Sequence, residues 1–460
     1  MKRFLPILFA ALIAGCASYQ PRPLSPEKAA ADFDARSLTN ADLRAFLETN
    51  HFDGSWNLGA LTLVAFYYQP ALAEARAQWA SVHAAEITAG ARPNPSISVT
   101  PAYDAPIPDD PSPWLVPVNL DWPVETAGKR GKRIAEARQL SEAARWDLIG
   151  QIWQARSQVR TALLNLYAAR QDASLLAQQG AAQSNVVRLL EGRFSAGSIS
   201  SYDVAQARVA LETTQLARFD ALGQLNQARA QLAGALGVPL HALDGVNFSF
   251  DDFKKFPRAL TEPQVRRQAL YHRADVRGAL AGYAASQSAL QLEIANQYPD
   301  VHLGPGYGWN TGSAGDNAWQ LGLTVELPVL DQNQGPIAEA EARRAQAAAH
   351  FLTVQATAIL QMDSALAAYA AALSKAATAK KLLNDLQGQL GPVRAQAQLG
   401  EVDALTLANA EAAYAAGAQS RMDALVQAQQ ALGQLEDAMQ SPLTLPPETL
   451  DSAANPQIQK

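Results

Sequence analysis

Residues able to do chemistry are few in this 460-residue chain, and their spacing does not assemble them into a site. The histidines, His51, His83, His241, His272, His302 and His350, never fall at the interval that puts two imidazoles on one helix face, and no HExxH occurs. A single cysteine, Cys16, excludes a disulfide framework and any cysteine-rich metal centre. Gly304-Pro305-Gly306-Tyr307-Gly308 superficially resembles a phosphate loop, but it sits inside an alternating strand pattern and opens no helix. Scattered Ser and Asp lack a motif that would make a nucleophile. The sequence therefore reads as non-enzymatic, without cofactor or resident metal. A net charge of −6, from 37 basic and 43 acidic residues, is a mildly acidic balance that removes nucleic acid as a partner.

Cys16 has a different use. Met1-Lys2-Arg3, an apolar run to Ala14, and then Ile13-Ala14-Gly15-Cys16 read as a secretory signal ending in a lipoprotein box. Residues 1–15 would be removed, and Cys16 would carry an N-terminal lipid, with Ala17 following as in lipoproteins sent to the outer membrane. No later apolar run is read as a membrane-spanning helix.

The elements behind these residues come in two copies. Arg218-Phe219-Asp220-Ala221-Leu222 returns as Arg421-Met422-Asp423-Ala424-Leu425, an offset of 203 that also pairs Gly197 with Gly400 and Ile134-Ala135-Glu136-Ala137 with Ile337-Ala338-Glu339-Ala340. The expected organisation is a lipidated tether over 16–58, repeat one over 59–237, a linker over 238–261, repeat two over 262–440 and a tail over 441–460. Each repeat reads as a shorter helix (59–91; 262–297), two strands (within 96–123; 300–328), a very long helix (128–194; 336–399), a turn, and a return helix (202–236; 404–439). Both long helices are read as free of interior proline. At 1.5 Å per residue each is ~100 Å long and needs a partner of equal length, which the two shorter helices placed end to end can supply. Val204, Leu211, Leu225 and Leu232 keep a seven-residue register, with Leu222 and Leu236 as the expected companions.

The strands alternate strictly. Ile97, Val99, Pro101 and Tyr103, then Trp114, Val116, Val118, Leu120 and Trp122, then Val301, Leu303, Pro305, Tyr307 and Trp309, then Trp319, Leu321, Leu323, Val325 and Leu327 each oppose polar or glycine positions. Apolar-out, polar-in segments of ~10 residues with aromatic ends match membrane β-barrel strands. On that reading Glu326, Asp121 and His302 line a wet lumen. Four strands close no barrel, since ~8 is the minimum, and an open edge cannot face lipid, so the chain must oligomerise. Dimer, trimer and tetramer all remain open on this ground.

These features, with the turn Arg193-Phe194-Ser195-Ala196-Gly197-Ser198-Ile199-Ser200-Ser201-Tyr202-Asp203-Val204, resemble the TolC family of outer-membrane efflux proteins. Trp122-Pro123-Val124-Glu125-Thr126-Ala127-Gly128-Lys129-Arg130-Gly131-Lys132-Arg133 resembles the strand-to-helix junction of its CzcC-like cation-efflux branch. The resemblance implies an α+β membrane fold. A homotrimer would complete a twelve-strand β-barrel in the outer membrane, continued by an α-helical barrel in the periplasm. It also implies a gated duct working with a periplasmic adaptor and an inner-membrane RND-type pump, exporting heavy-metal cations or, alternatively, drugs and organic compounds. Arg193, Phe194, Gly197, Ser200, Asp203 and Gly400 become expected adaptor-docking tip residues. The second tip departs from the family pattern: Thr406 and Asn409 stand where acids form a constriction ring, so Glu401 and Asp403 are the expected substitutes. A pore-free, lipid-anchored coiled-coil scaffold of the envelope is the competing reading, and the fourfold strand alternation speaks against it.

Overall fold

The computed structural model describes residues 18–50, 52–103, 114–257, 266–267, 270–310 and 317–443. Cys16, the signal segment and most of the tail lie outside them. The long helices run Lys129–Ser195 and Gln334–Gln398, and the return helices run Ser201–Leu236 and Ala404–Met439. The first long helix packs against its return helix and, further along, against Pro70–Ala89, as the matching lengths require. Ala274–Asn296 lies against both long helices, and the second return helix contacts both as well.

Several expectations need correction. The first short helix is two helices, Leu58–Tyr68 and Pro70–Ala89, because Pro70 cannot continue the first and instead opens the second at its N1 position. Leu58–Tyr68 is apolar all round and is correspondingly buried, forming the centre of the largest core with Leu43, Leu47, Leu163 and Leu232. The second long helix does contain a proline, Pro392, near its end. Gly391 relaxes the steric restriction on the residue that precedes a proline. One 18-residue window of that helix is also apolar enough to cross a membrane by composition, which the sequence reading denied. The cause is its run of alanines.

The seam keeps its register but changes its companions. Val204 and Leu232 are buried; of the expected companions Leu236 is buried and Leu222 is exposed, and Thr214, Ala221 and Ala228 fill the second position instead. Ala424, Ala431 and Ala438 occupy the same position in repeat two. Small residues here let the return helix lie close to the long one along its length.

Among the described residues five strands form one antiparallel sheet: β1 (Ser96–Val99), β2 (Ala102–Tyr103), β3 (Trp114–Val124), β4 (Val301–Asn310) and β5 (Ala318–Val325). The order is β1-β3-β4-β5, with β2 beside β3. The expected first strand is thus broken at Thr100-Pro101, where the proline has no N–H to give the ladder. Register sets Ile97 opposite Leu120, Val118 opposite Tyr307, Trp122 opposite Leu303, and Leu303 opposite Leu323. One face is therefore apolar across the sheet and open to its surroundings: Trp319 is 83% and Leu321 77% exposed. The other face carries an Asp121–His302 contact at 3.0 Å and an Asn119–Gln320 hydrogen bond spanning Gly306, where any Cβ would collide with both. The hairpin loops 104–113 and 311–316 lie outside the described residues.

A buried ionic cluster ties the repeats together. Glu436, fully buried, accepts from Arg156 at 3.0 Å and lies 3.3 Å from Arg160. Arg160 donates to Gln429, whose amide donates to the carbonyls of Phe253 and Lys255 in the inter-repeat linker. Gly433 leaves room for the Arg160 guanidinium, which a Cβ would strike. Burial pushes the nearby Tyr369 hydroxyl up to about 12, with the Glu436 charge adding to it.

Glu436→Ala should strip both guanidiniums of their buried partner and destabilise the fold by ~3–5 kcal/mol in urea unfolding. Glu339→Ala, which removes an exposed i,i+4 pair with Arg343, should cost less than ~1 kcal/mol. Equal losses would show that the cluster adds nothing beyond surface pairing.

Candidate functional site

Both helical reversals are built the same way. Gly197 and Gly400 take the left-handed conformation, with φ of 72° and 76°, and end the long helices. Ser198 N–H donates to the Arg193 carbonyl at 2.9 Å, and Glu401 N–H donates to the Gln396 carbonyl at 2.9 Å. This is the Schellman closure, in which a residue free of a Cβ penalty satisfies orphan carbonyls. The return helices are then capped. Ser200 and Asp203 form a full capping box, whereas at the second tip Asp403 takes the cap position and accepts from Thr406 N–H at 2.8 Å. Ser200 and Asp403 are repeat equivalents, as are Asp203 and Thr406, so the acid stands at the third helical position in one tip and at the cap in the other.

The two tips lie side by side. Arg193 Nη1 stands 3.8 Å from Asp403 Oδ2, joining repeat one to repeat two at the end of the molecule. Hydrogen bonds from the Thr406 side chain and backbone amide, with the Arg193 charge added, hold the Asp403 carboxyl below its ordinary range. Arg193, Asp203, Asp403 and Asn409 border one groove between the hairpins. Glu401 is exposed and is not among the groove residues, Phe194 is exposed at 48%, and Thr406 serves the cap through its N–H.

Sequence reasoning missed two further pairs. Arg208 grips Glu191 across the first hairpin, and Arg394 grips Glu411 across the second at 3.0 Å. At the repeat offset these are the same two positions with their charges exchanged, a signal the duplication could have revealed. The junction motif also acquires a role. Lys129 is buried and bonds Asp300 at 2.8 Å, Thr126 bonds Asp300 and the Pro299 carbonyl, and Arg133 pairs with Glu125. These contacts fold the turn from strand to helix, where Ala127 and Gly128 both take positive φ. Among the described residues no group of three or more His, Cys, Asp or Glu could hold a metal ion.

Gly197→Ala and Gly400→Ala should each cost ~1 kcal/mol through the left-handed backbone. Hydrogen exchange should register the loss as faster exchange confined to the tip amides, with the Leu58–Tyr68 core unchanged. Uniform acceleration would mean that the tips are not independent closing units.

The chain matches the family model described as outer membrane efflux protein over residues 67–238 and 265–440. It is similar to the cobalt-zinc-cadmium resistance protein CzcC of Cupriavidus metallidurans, 26% identical over 216 residues, which are 47% of this chain and 50% of that protein. It is also similar to the pyoverdine export outer membrane protein OpmQ of Pseudomonas aeruginosa, 28% identical over 156 residues, 33% of this chain and 32% of that one. The chain thus spans about half the length of the first relative and about a third of the second. The solved outer membrane protein VceC of Vibrio cholerae shares the fold, with a TM-score of 0.68 at 18% identity, over 84% of this chain and 96% of that one. With two matched segments that together cover most of its length, the chain belongs to the outer membrane efflux protein family and resides in the outer membrane.

Proposed function

We propose that the chain is the outer-membrane duct of a tripartite efflux system, a homotrimer that closes a twelve-strand barrel and continues it as a helical barrel into the periplasm. The observation that carries this reading is the sheet. Its apolar face is exposed across all strands, its opposite face is polar, and β1 and β5 are left as edges. In lipid an unpaired edge is untenable, so copies of the chain would pair β5 of one with the first strand of the next. A lipid on Cys16 would add a second hold on the same membrane.

At the far end, the two tips act as gate and docking surface. Arg193, Phe194, Gly197, Ser200, Asp203 and Gly400 would meet a periplasmic adaptor, whose inner-membrane pump supplies the energy. Glu401 and Asp403 would supply negative charge at the constriction, where three copies converge and draw in cations. The similarity to CzcC supports heavy-metal cations as the cargo. The similarity to OpmQ favours organic export instead, and the junction motif does not decide between them, because Glu125, Lys129 and Arg133 are engaged in folding the junction.

Leu323→Asp places a charge on the apolar face at mid-strand, at a cost approaching but below the ~2–4 kcal/mol of a basic residue there if that face meets lipid. Heat-stable trimers should then disappear from the membrane fraction; normal assembly would refute the strand assignment.

Single-channel recording in a planar bilayer tests the gate. Wild type should give small, cation-selective openings that lose selectivity in Glu401→Ala/Asp403→Ala. Because the folded Asp403 pKa lies below its unfolded value, the Arg193–Asp403 tie is present above the ordinary carboxylate range and is lost as pH falls through the depressed value. Acidification on the tip side should therefore raise the open fraction, and Arg193→Ala should abolish that response. Openings insensitive to both changes would remove these residues from the gate.

A further inference from the structure

The two strand hairpins are built to one register. Ile97 opposes Leu120 and Val99 opposes Val118. Moving 204 residues on from the first strand and 205 from the second gives Val301 opposite Val325 and Leu303 opposite Leu323, which are pairs of the second hairpin. The ring pairs follow, Tyr103 with Trp114 at 5.2 Å and Tyr307 with Trp319 at 4.8 Å. So do the left-handed residues that open the long helices, Gly128 and Asn333, again 205 apart. One stretch breaks the equivalence. Trp122, Pro123 and Val124 end β3, and their partners are Leu303, His302 and Val301 of β4, since β1 reaches no further than Asp121. Their counterparts Leu327, Pro328 and Val329 lie beyond the end of β5 and in no strand, with Leu327 73% and Val329 75% exposed. The difference is a neighbour: β4 lies beside β3, and among the described residues no strand lies on the corresponding side of β5. Backbone groups without a ladder to join have nothing to hold them extended, and an edge of this kind is a template for another chain.

We propose that the missing neighbour is β1 and β2 of a second copy of this chain, and that the join between copies repeats the join between repeats. Carrying the β3–β4 register over by the same offsets sets Leu323 opposite Tyr103 of the next copy, Leu327 opposite Val99 and Val329 opposite Ile97. On contact β5 runs on to Val329, and its exposed apolar residues enter the apolar face of a continuous sheet. A slip of one residue would turn every side chain to the wrong face. The join between copies differs from its counterpart in one respect. Lys129 and Asp300, the ion pair beside the β3–β4 join, correspond to Gln334 and Ser96, so the copies are held by backbone pairing and apolar contact without that charge pair. This register rests on the duct reading, because it needs copies joined edge to edge.

The test uses the full-length protein in membranes and paired cysteines. Leu327→Cys is combined in turn with Ile97→Cys, Val99→Cys and Pro101→Cys, three positions on one face, and Leu327→Cys alone controls for links through Cys16. On oxidation with copper phenanthroline, Leu327→Cys/Val99→Cys should give disulfide-linked oligomers roughly tenfold faster than either other pair, because directly opposed Cβ atoms are ~4.5–5.5 Å apart and diagonal ones farther. Within one chain β3 and β4 separate the two positions by roughly 14 Å, too far for a disulfide, so each link reports contact between copies. Should these variants fail to assemble, Thr324→Cys/Ala102→Cys on the polar face decides, and it should link faster than Thr324→Cys/Thr100→Cys. Oligomers whose fastest link involves Ile97→Cys or Pro101→Cys, or that form no link, refute the register and leave the duct standing. Chains that neither link nor form oligomers refute both.

Discussion

A helix of 67 residues is a liability until something covers it along its whole length. Isolated, it has no tertiary contact to hold its apolar stripe, and no compact domain is ~100 Å across. Everything else in the molecule answers that constraint. Each long helix turns back on itself through a return helix of 36 residues, and the remaining length is met by Pro70–Ala89 in one repeat and Ala274–Asn296 in the other. Close approach is secured by a column of Thr214, Ala221, Ala228 and their alanine counterparts, so the alanine-rich composition is a packing requirement.

Two such hairpins side by side could slide, and polar groups oppose that. The Arg156–Arg160–Glu436–Gln429 cluster joins the first long helix, the second return helix and the inter-repeat linker in a single buried set of bonds. Ion pairs in such a place add little net stability over a well-packed apolar alternative, but any axial displacement would leave charges buried and unpaired. The junction does the same work at the sheet end, where Lys129 and Thr126 of repeat one converge on Asp300 of repeat two. At the opposite end Arg193 and Asp403 make a weaker, exposed tie, as suits an element that must part.

The features legible in the sequence were those with a short period. Strand alternation, the heptad register of Val204 and Leu232, and the Gly197 and Gly400 turns are each set within a few residues. So are the proline landmarks, although Pro101 breaking a strand and Pro392 lying harmlessly inside a helix show that a proline's effect depends on which bond it removes. The duplication at an offset of 203 extended this local reading to the whole chain and carried the tip residues with it.

What the tertiary structure alone decided was which distant residues meet. Glu436 and Arg156 are 280 positions apart, and Arg193 and Asp403 are 210 apart, with no periodicity linking either pair. Leu222 is exposed and Ala221 buried because the companion of the Val204–Leu232 register lies three residues after it, where the chain has small residues, and not four. The groove between the hairpin tips likewise exists only because three helices from two repeats converge there. Local periodicity is encoded by neighbours in the chain, since backbone geometry repeats every few residues. Contacts between repeats depend on the relative placement of long rigid bodies, and that placement is the sum of all their packing at once.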